Sequence, residues 1–241
     1  MRSYTRRQLK EDKFASTAQG AVHWASDHGR NVIFAVTAVL VIALAVFGYL
    51  FWNNRQTDQA NLLLGKAEKT FLAPLRAPGT PANPNEPSFS SFAERGKQAE
   101  KEFKAIADQF PHTKPGKISR YMQAAAALQA GETATGEKDL KAIAGSGDKD
   151  VASLAKFALA AFYVSSNRSA DAAKLYKDLA DHPSATVSKP HAQLALAELY
   201  ESTDPKLATL LYQQIEKENP DTPAAQFARS KTTNPTGNIP R

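Results

Sequence analysis

Residues 154–183 read LAKFALAAFYVSSNRSADAAKLYKDLADHP, and this stretch decides the fold. It is rich in Ala, Leu and Lys, and apolar and polar residues never alternate for long, which predicts helix rather than strand. A polar SSNR segment divides it into two helices. Ala160 and Ala172 are small enough for two helices to approach closely, while Tyr163 and Tyr176 fill the space beside them. The stretch therefore predicts a helix–turn–helix unit.

The same unit recurs along the chain. The bulky position of the second helix is occupied by Phe103, Leu140, Tyr176 and Tyr212, which are 37, 36 and 36 residues apart. An alanine-rich helix precedes each of the last three. A single helix pair cannot bury its apolar face alone, so such units stack into a solenoid. We therefore expect an all-α protein in which one N-terminal transmembrane helix precedes an α-solenoid of about four helix pairs.

The first pair is predicted to be split by an insert. Residues 73–88 read APLRAPGTPANPNEPS and hold five of the 14 prolines, which favours extended chain and predicts a loop or linker. The two helices of this pair are then expected at 58–71 and 90–110, and a closing helix at 222–231. Helix starts are indicated by Asp204 and Thr222, each followed by proline, and by Ser169 as an N-cap.

An apolar run precedes the repeats. Residues 32–52 form 21 positions without a charge. As a helix this run is about 31 Å long, close to the thickness of a hydrocarbon core. We expect Arg30, Tyr49 and Trp52 at the membrane interfaces. A cleaved export signal is less favoured, because the leader is too long for a signal and the only Ala-x-Ala lies inside the run. A buried helix of a soluble protein is the least favoured interpretation.

The flanking charges predict the topology. Six Lys or Arg residues precede the run, whereas only Arg55 closely follows it. The positive side stays in the cytoplasm. We therefore expect a basic cytoplasmic leader at 1–30, a transmembrane helix at 31–54, an extracytoplasmic helical domain at 55–231 and a loose tail at 232–241.

The repeats resemble a known family. A small residue, a Tyr three positions later, an Ala nine after that and an aromatic four further are typical of the tetratricopeptide repeat. Ala160, Tyr163, Ala172 and Tyr176 match it, and the next repeat matches with a turn one residue shorter. The layout as a whole resembles the ancillary SecYEG translocon subunit family. That resemblance implies a single-pass bacterial inner-membrane protein with a periplasmic domain, and translocon components, periplasmic chaperones or exported clients as partners.

Catalytic chemistry is not indicated. The chain has no cysteine, which excludes disulfides, thiol nucleophiles and thiolate metal sites. The segment 131–139, GETATGEKD, lacks the Lys and Ser/Thr of a phosphate-binding loop and follows a helix. The five histidines have no metal-ligand spacing, and Glu137, Asp139, Glu216 and Glu218 are expected to be solvated helix charges. The net charge of +6 is not concentrated as a nucleic-acid site requires. We expect no enzyme, no cofactor, no metal and no nucleic-acid partner.

The functional surface is then expected on the first helices of the pairs. In helical arrays these line a concave groove that takes peptides or partner helices. The groove candidates, by position in the repeat, are Met122, Ala126, Phe157, Ala161, His191, Leu194, Glu198 and Glu201. The leading hypothesis is a membrane-anchored interaction module that assists translocon-associated handling of exported proteins. The alternatives are a scaffold for envelope assembly or cell division, and a regulator that acts through its cytoplasmic leader.

Overall fold

The computed structural model describes residues 29–77, 79–81 and 87–233. Over these residues the chain is all-α, and the predicted fold class is confirmed. The protein divides into two compact units, Met1–Arg55 and Gln56–Arg241. The nine helices of the described residues are α1 (Gly29–Phe71), α2 (Phe92–Gln109), α3 (Lys114–Gln129), α4 (Thr133–Ala144), α5 (Lys149–Ser165), α6 (Ser169–Asp181), α7 (Lys189–Thr203), α8 (Pro205–Glu218) and α9 (Pro223–Thr233).

The described part of the first unit is helix. Helix α1 carries the uncharged run and is the one described helix that is long and apolar enough to cross a membrane. Its large apolar side chains from Ile33 to Trp52 that the structure describes do not pack on other helices, and each is exposed by half or more. No charged residue lies between Asn31 and Asn54. By length and composition this helix is compatible with a single-pass membrane anchor.

In the second unit each helix packs on the next. From α2 to α9 every successive pair is in contact, and α3 also contacts α5, as α7 contacts α9. The α1 segment from Ala60 to Phe71 packs on α2 and α3 through a cluster that contains Leu64 and Phe103. The pairs are therefore α1 with α2, α3 with α4, α5 with α6, and α7 with α8. Helix α9 closes the array.

The positions that define the repeat form the core. Phe103, Leu140, Tyr176 and Tyr212 are each at most 5 % exposed. The small residues expected at helix contacts, Ala160, Ala172, Ala197 and Ala208, are buried as well. The largest cluster joins residues of α3 to α7, and a second joins α7, α8 and α9. The burial of these four alanines confirms the predicted contact positions. A side chain as small as a methyl group allows two helix axes to come close there.

Two of three predicted helix starts are correct. The Asp204 carboxylate accepts a 3.1 Å hydrogen bond from the Leu207 amide, and the Thr222 hydroxyl accepts one of 3.2 Å from the Ala225 amide. The prediction that Ser169 caps α6 is wrong. Arg168 occupies the N-cap and makes no capping hydrogen bond with its side chain, because a guanidinium has only donors and cannot accept from the backbone amides of the first turn.

The proline-rich insert is a closed loop in its described residues. Its two ends are held side by side at Leu75 and Phe89, where the Arg76 amide donates a 2.7 Å hydrogen bond to the Phe89 carbonyl. From α2, the Arg95 guanidinium donates a 2.6 Å hydrogen bond to the Ala73 carbonyl. The insert therefore leaves α1 and returns to α2 at nearly the same place, which is why it does not disrupt the first helix pair.

Candidate functional site

The predicted groove is not open on the first of its three helices. Ala126 on α3 has no exposed surface, and Met122 is half-buried against the same core cluster. The cause is a close approach of α2: a Cβ on Gly96 would lie 2.5 Å from the Ala130 nitrogen and 2.9 Å from the Ala126 carbonyl oxygen. Helix α2 thus covers this side of α3, and the prediction that Ala126 lines a groove is wrong for that reason.

The corresponding residues of α5 and α7 lie together. The Phe157 ring on α5 is 4.7 Å from the His191 ring on α7 and 5.3 Å from the Tyr176 ring on α6. Phe157 is half-buried in the main core cluster, and Leu194 is half-buried against the cluster around Ala197. These two side chains therefore join neighbouring repeats and leave only part of their surface to solvent.

Three candidates on the same two helices are exposed. Ala161 lies one turn beyond Phe157 on α5, and Glu198 lies one turn beyond Leu194 on α7, both exposed, as is His191. Burial first, and then the charge of the Glu198 carboxylate, raise the pKa of the Tyr176 hydroxyl on α6. We name the set Phe157, Ala161, His191, Leu194 and Glu198 the α5–α7 surface. It combines partly buried apolar side chains with one imidazole and one carboxylate.

Glu201 belongs to a helix joint. Its carboxylate accepts a 2.8 Å hydrogen bond from the Tyr212 hydroxyl on α8 and pairs with the Lys231 ammonium of α9 at 3.0 Å. Burial raises the pKa of Glu201, but these two donors outweigh it and hold the pKa below its ordinary value. Glu201 therefore ties α7 to the last two helices, and we leave it out of the candidate surface.

Comparison with known proteins agrees with this architecture. The model of the tetratricopeptide repeat-like domain matches residues 22–176, which is more than half of the chain. The chain belongs to the tetratricopeptide repeat-like family. No curated protein and no solved structure matches it. Tetratricopeptide repeat-like domains are typically non-catalytic modules for protein interaction, so the family supports a binding role in general.

One charged cluster of this tetratricopeptide repeat-like domain was not anticipated. The Glu137 carboxylate on α4 accepts hydrogen bonds from Arg168 at 2.9 Å and from the Tyr163 hydroxyl at 3.1 Å, and it pairs with Lys141 at 2.7 Å. The bonds from Lys141 and Arg168 lower the pKa of Glu137 to about 2. The expectation that Glu137 is a solvated charge is therefore wrong, because three donors from α4, α5 and the turn after it converge on one carboxylate.

The sequence indicates one contact of this cluster, the pair of Glu137 with Lys141, but not the other two. Glu137 stands where the repeat usually has Ala, and Lys141 follows at the i,i+4 spacing that favours a pair. The participation of Tyr163 and Arg168 depends on how α5 packs on α4. In the structure the Arg168 guanidinium lies 3.9 Å from the centre of the Tyr163 ring, and its Nη2 is 3.0 Å from Asp171.

Of the other three carboxylates that were expected to be solvated, Asp139 is half-buried and two have ion-pair partners. Glu216 on α8 pairs with Arg229 of α9 at 2.8 Å, and Glu218 pairs with Lys189 of α7 at 2.8 Å. Both pairs lie largely exposed to solvent, and exposed ion pairs contribute little to stability on their own. They do mark the contacts of α8 with α7 and α9.

Concave spaces lie between helices away from the α5–α7 surface. A pocket of about 320 Å³ between α3, α4 and α5 includes Lys117, Arg120 and Ile143, and one of about 480 Å³ between α6 and α7 includes Lys174 and Tyr200. A third, of about 420 Å³, lies between α1 and α2. None of these three pockets is lined by a residue of the α5–α7 surface.

The predicted membrane-interface residues lie on the first unit's helix. Tyr49 and Trp52 are exposed, and the Arg30 guanidinium lies 5.8 Å from the centre of the Phe34 ring. At the other end of the run the Arg55 guanidinium lies 4.9 Å from the Phe51 ring. An arginine folded back over an aromatic ring at each end of an apolar helix is compatible with the interfacial role that these residues were assigned.

Proposed function

We propose that this protein is a membrane-anchored, periplasmic interaction module that holds exported polypeptides beside the translocon. Membership in the tetratricopeptide repeat-like family, the apolar helix and the layout that resembles ancillary SecYEG translocon subunits support this proposal. The basic leader and the single Arg55 after the run favour an N-terminus in the cytoplasm.

The observation that carries the binding role is the contact between Phe157 and His191. The two ring centres are 4.7 Å apart, so the first helices of two neighbouring repeats are in contact at this point. Ala161 and Glu198 are exposed on these helices beside half-buried Phe157 and Leu194. An apolar segment of an unfolded chain would gain contacts on such a surface, and the affinity stays low because Phe157 and Leu194 expose only part of their apolar area. Weak, reversible capture suits a holding role, since the client must leave again.

The binding proposal is tested by site-specific photo-crosslinking in cells. A photoreactive residue at Ala161 is expected to crosslink to a translocon subunit or to an arrested exported chain. The matched control is the same residue at Ala170, which is also exposed but lies on α6, the second helix of the same pair. Crosslinks from Ala161 to division or outer-membrane assembly proteins instead would replace the translocon role by a scaffold role. Equal crosslinking from both positions would refute the α5–α7 surface.

The matched substitutions Ala161→Arg and Ala170→Arg complete the test. Because both side chains are exposed, both variants are expected to keep the helicity and thermal stability of the parent. Only Ala161→Arg places a bulky cation on the α5–α7 surface, so only this variant is expected to lose client crosslinks from a photoreactive residue that is placed at the exposed position Glu198 in both variants. A different result would favour a regulator that acts through its leader. In that case deletion of residues 2–28 abolishes the crosslinks, whereas Ala161→Arg leaves them unchanged.

The topology is tested separately with reporter fusions after Arg241. Alkaline phosphatase, which is active only outside the cytoplasm, is expected to be active there, and a reporter that needs the cytoplasm is expected to be inactive. The reverse pattern would place the helical domain in the cytoplasm and remove exported clients from consideration.

A further inference from the structure

A groove on the first helix pair is left without a covering helix among the described residues. It lies between α1 and α2, has a volume of about 420 Å³ and lies wholly within the second unit. Its lining combines apolar and polar side chains, namely Leu63, Lys66, Ala67, Thr70, Glu102, Ala105, Ile106 and Gln109. No residue from α3 to α9 contributes to it.

The opposite end of the array shows how such an edge is normally covered. There α9 packs on α7 and α8, with Ala225 and Ala228 completely buried. Two ion pairs lie at its rim, Arg229 with Glu216 and Lys231 with Glu201. Terminal repeats of a solenoid need a cover of this kind, because an uncovered edge presents apolar surface to water.

The edge at α1 and α2 has the apolar surface without the cover. Leu62, next to the groove on α1, is 64 % exposed, and Ala105 on α2 is exposed as well. Exposed apolar surface that borders a groove is characteristic of an interaction site. The occupant must supply apolar side chains and must also match the charges of the rim.

Those charges are self-complementary. Lys66 of α1 and Glu102 of α2 both line the groove. Among the described residues Lys66 has no ion-pair partner, and Glu102 accepts a hydrogen bond only from the neutral amide of Gln98, at 2.7 Å. In a two-fold symmetric contact, if residue i of one copy meets residue j of the other, then j also meets i. Two copies related in this way would form the Lys66–Glu102 pair twice.

We propose that the groove between α1 and α2 is a self-association surface and that its occupant is the same helix pair of a second copy. Leu62 of each copy supplies apolar surface to the other, and Lys66 of each copy pairs with Glu102 of its partner. This contact covers the edge of the array at α1 and α2, as α9 covers the opposite edge.

The decisive experiment is a charge exchange on the full chain in detergent, with mass measured by light scattering after size exclusion. The wild type is expected to dimerise. Lys66→Glu alone and Glu102→Lys alone are each expected to weaken dimerisation by about tenfold or more, which corresponds to about 1.4 kcal/mol. A mixture of the two single variants is expected to recover dimers, because every contact in the mixed dimer then joins opposite charges. The double variant is expected to recover them for the same reason.

The control is Glu68→Lys, the same charge change as Glu102→Lys at an exposed position of α1 that does not line the groove. It is expected to dimerise like the wild type. Circular dichroism of each variant verifies that the helices are intact. A wild type that stays monomeric at every concentration, or single variants that dimerise as the wild type does, would overturn the proposal.

The source of the contact is established by zero-length crosslinking of lysine to carboxylate. When isotopically heavy and light chains are mixed, a Lys66–Glu102 crosslink that joins heavy to light peptides supports the second copy. A crosslink confined to peptides of one chain would mean that Lys66 and Glu102 react only across the groove of a single molecule, and the proposal would fail.

Discussion

The Glu137 carboxylate accepts a 2.9 Å hydrogen bond from the Arg168 guanidinium, and this contact joins α4 to the turn between α5 and α6. The two residues are 31 positions apart, so the bond exists only when two repeats are stacked correctly. Tyr163 adds its hydroxyl to the same carboxylate and its ring to the same guanidinium. One acidic side chain thereby links two neighbouring repeats.

Removal of this carboxylate is expected to destabilise the domain in a pH-dependent way. Glu137→Gln should lower the free energy of unfolding at pH 7 by about 1 kcal/mol, the scale of a charged hydrogen bond reduced by partial exposure. The pKa of Glu137 is about 2 in the folded protein, against an ordinary value of 4.5. Between these values the unfolded state binds more protons, so the stabilisation is complete above pH 4.5 and is lost as the pH falls towards 2.

The measurement is urea unfolding of the full chain in detergent, followed by circular dichroism. Tryptophan emission is unsuitable, since the two tryptophans are Trp24 and Trp52 and lie outside the helical repeats. The difference between wild type and Glu137→Gln should shrink from pH 7 to pH 3. The control Glu68→Gln, at an exposed position of α1, should show a small difference that is the same at both pH values.

Two glycines in helices are expected to respond to alanine with opposite signs. A methyl group on Gly96 would lie 2.5 Å from a backbone nitrogen of Ala130, so Gly96→Ala must push α2 and α3 apart and should cost about 1–3 kcal/mol. A methyl group on Gly65 of α1 would meet nothing within 4 Å. Gly65→Ala should therefore stabilise by about 0.5–1 kcal/mol, the difference in helix propensity. Thermal unfolding measures both, and changes of the same sign would contradict the close approach of α2 and α3.

A larger side chain at Ala197, the small residue of the fourth repeat, is expected to destabilise the domain. Ala197 has no exposed surface and lies in the cluster with Ala208 and Tyr212. Ala197→Leu should cost about 1–3 kcal/mol through overpacking. The control Ala170→Leu adds the same apolar atoms at an exposed position and should leave the melting temperature nearly unchanged. Equal effects in the two variants would mean that the helix contact at Ala197 is not close.

The closed form of the insert is expected to depend on Arg95. This guanidinium donates hydrogen bonds to the Ala73 carbonyl at 2.6 Å and to the Gln129 side chain at 3.1 Å. Arg95→Gln should free the end of the insert and raise the rate of limited proteolysis within it severalfold, while global unfolding changes by about 1–2 kcal/mol. Lys97→Gln, an exposed position on the same helix, provides the control. Cleavage that is equally slow in both variants would show that the pairing of Leu75 with Phe89 holds the loop without Arg95.

Helix type and repeat period could be predicted from the residues alone. The spacing of Phe103, Leu140, Tyr176 and Tyr212 identified the core of every repeat, because one large residue must fill the same gap each time the unit stacks. The helix starts at Asp204 and Thr222 could also be predicted from the sequence, because an N-cap side chain bonds to backbone amides within three residues of it. The apolar run was recognised by length and lack of charge, which are also local properties.

The groove depended on packing that the repeat pattern does not encode. Ala126 and Ala161 occupy equivalent positions, yet one is buried and the other exposed. The difference arises because Gly96 lets α2 lie against α3, an approach set by a residue in another helix. Likewise Glu201 and Glu137 were assigned by position, whereas their hydrogen-bond partners come from Lys231 and Arg168. The side chain that meets a given residue across a helix interface depends on how the helices cross, and that was settled by the tertiary structure.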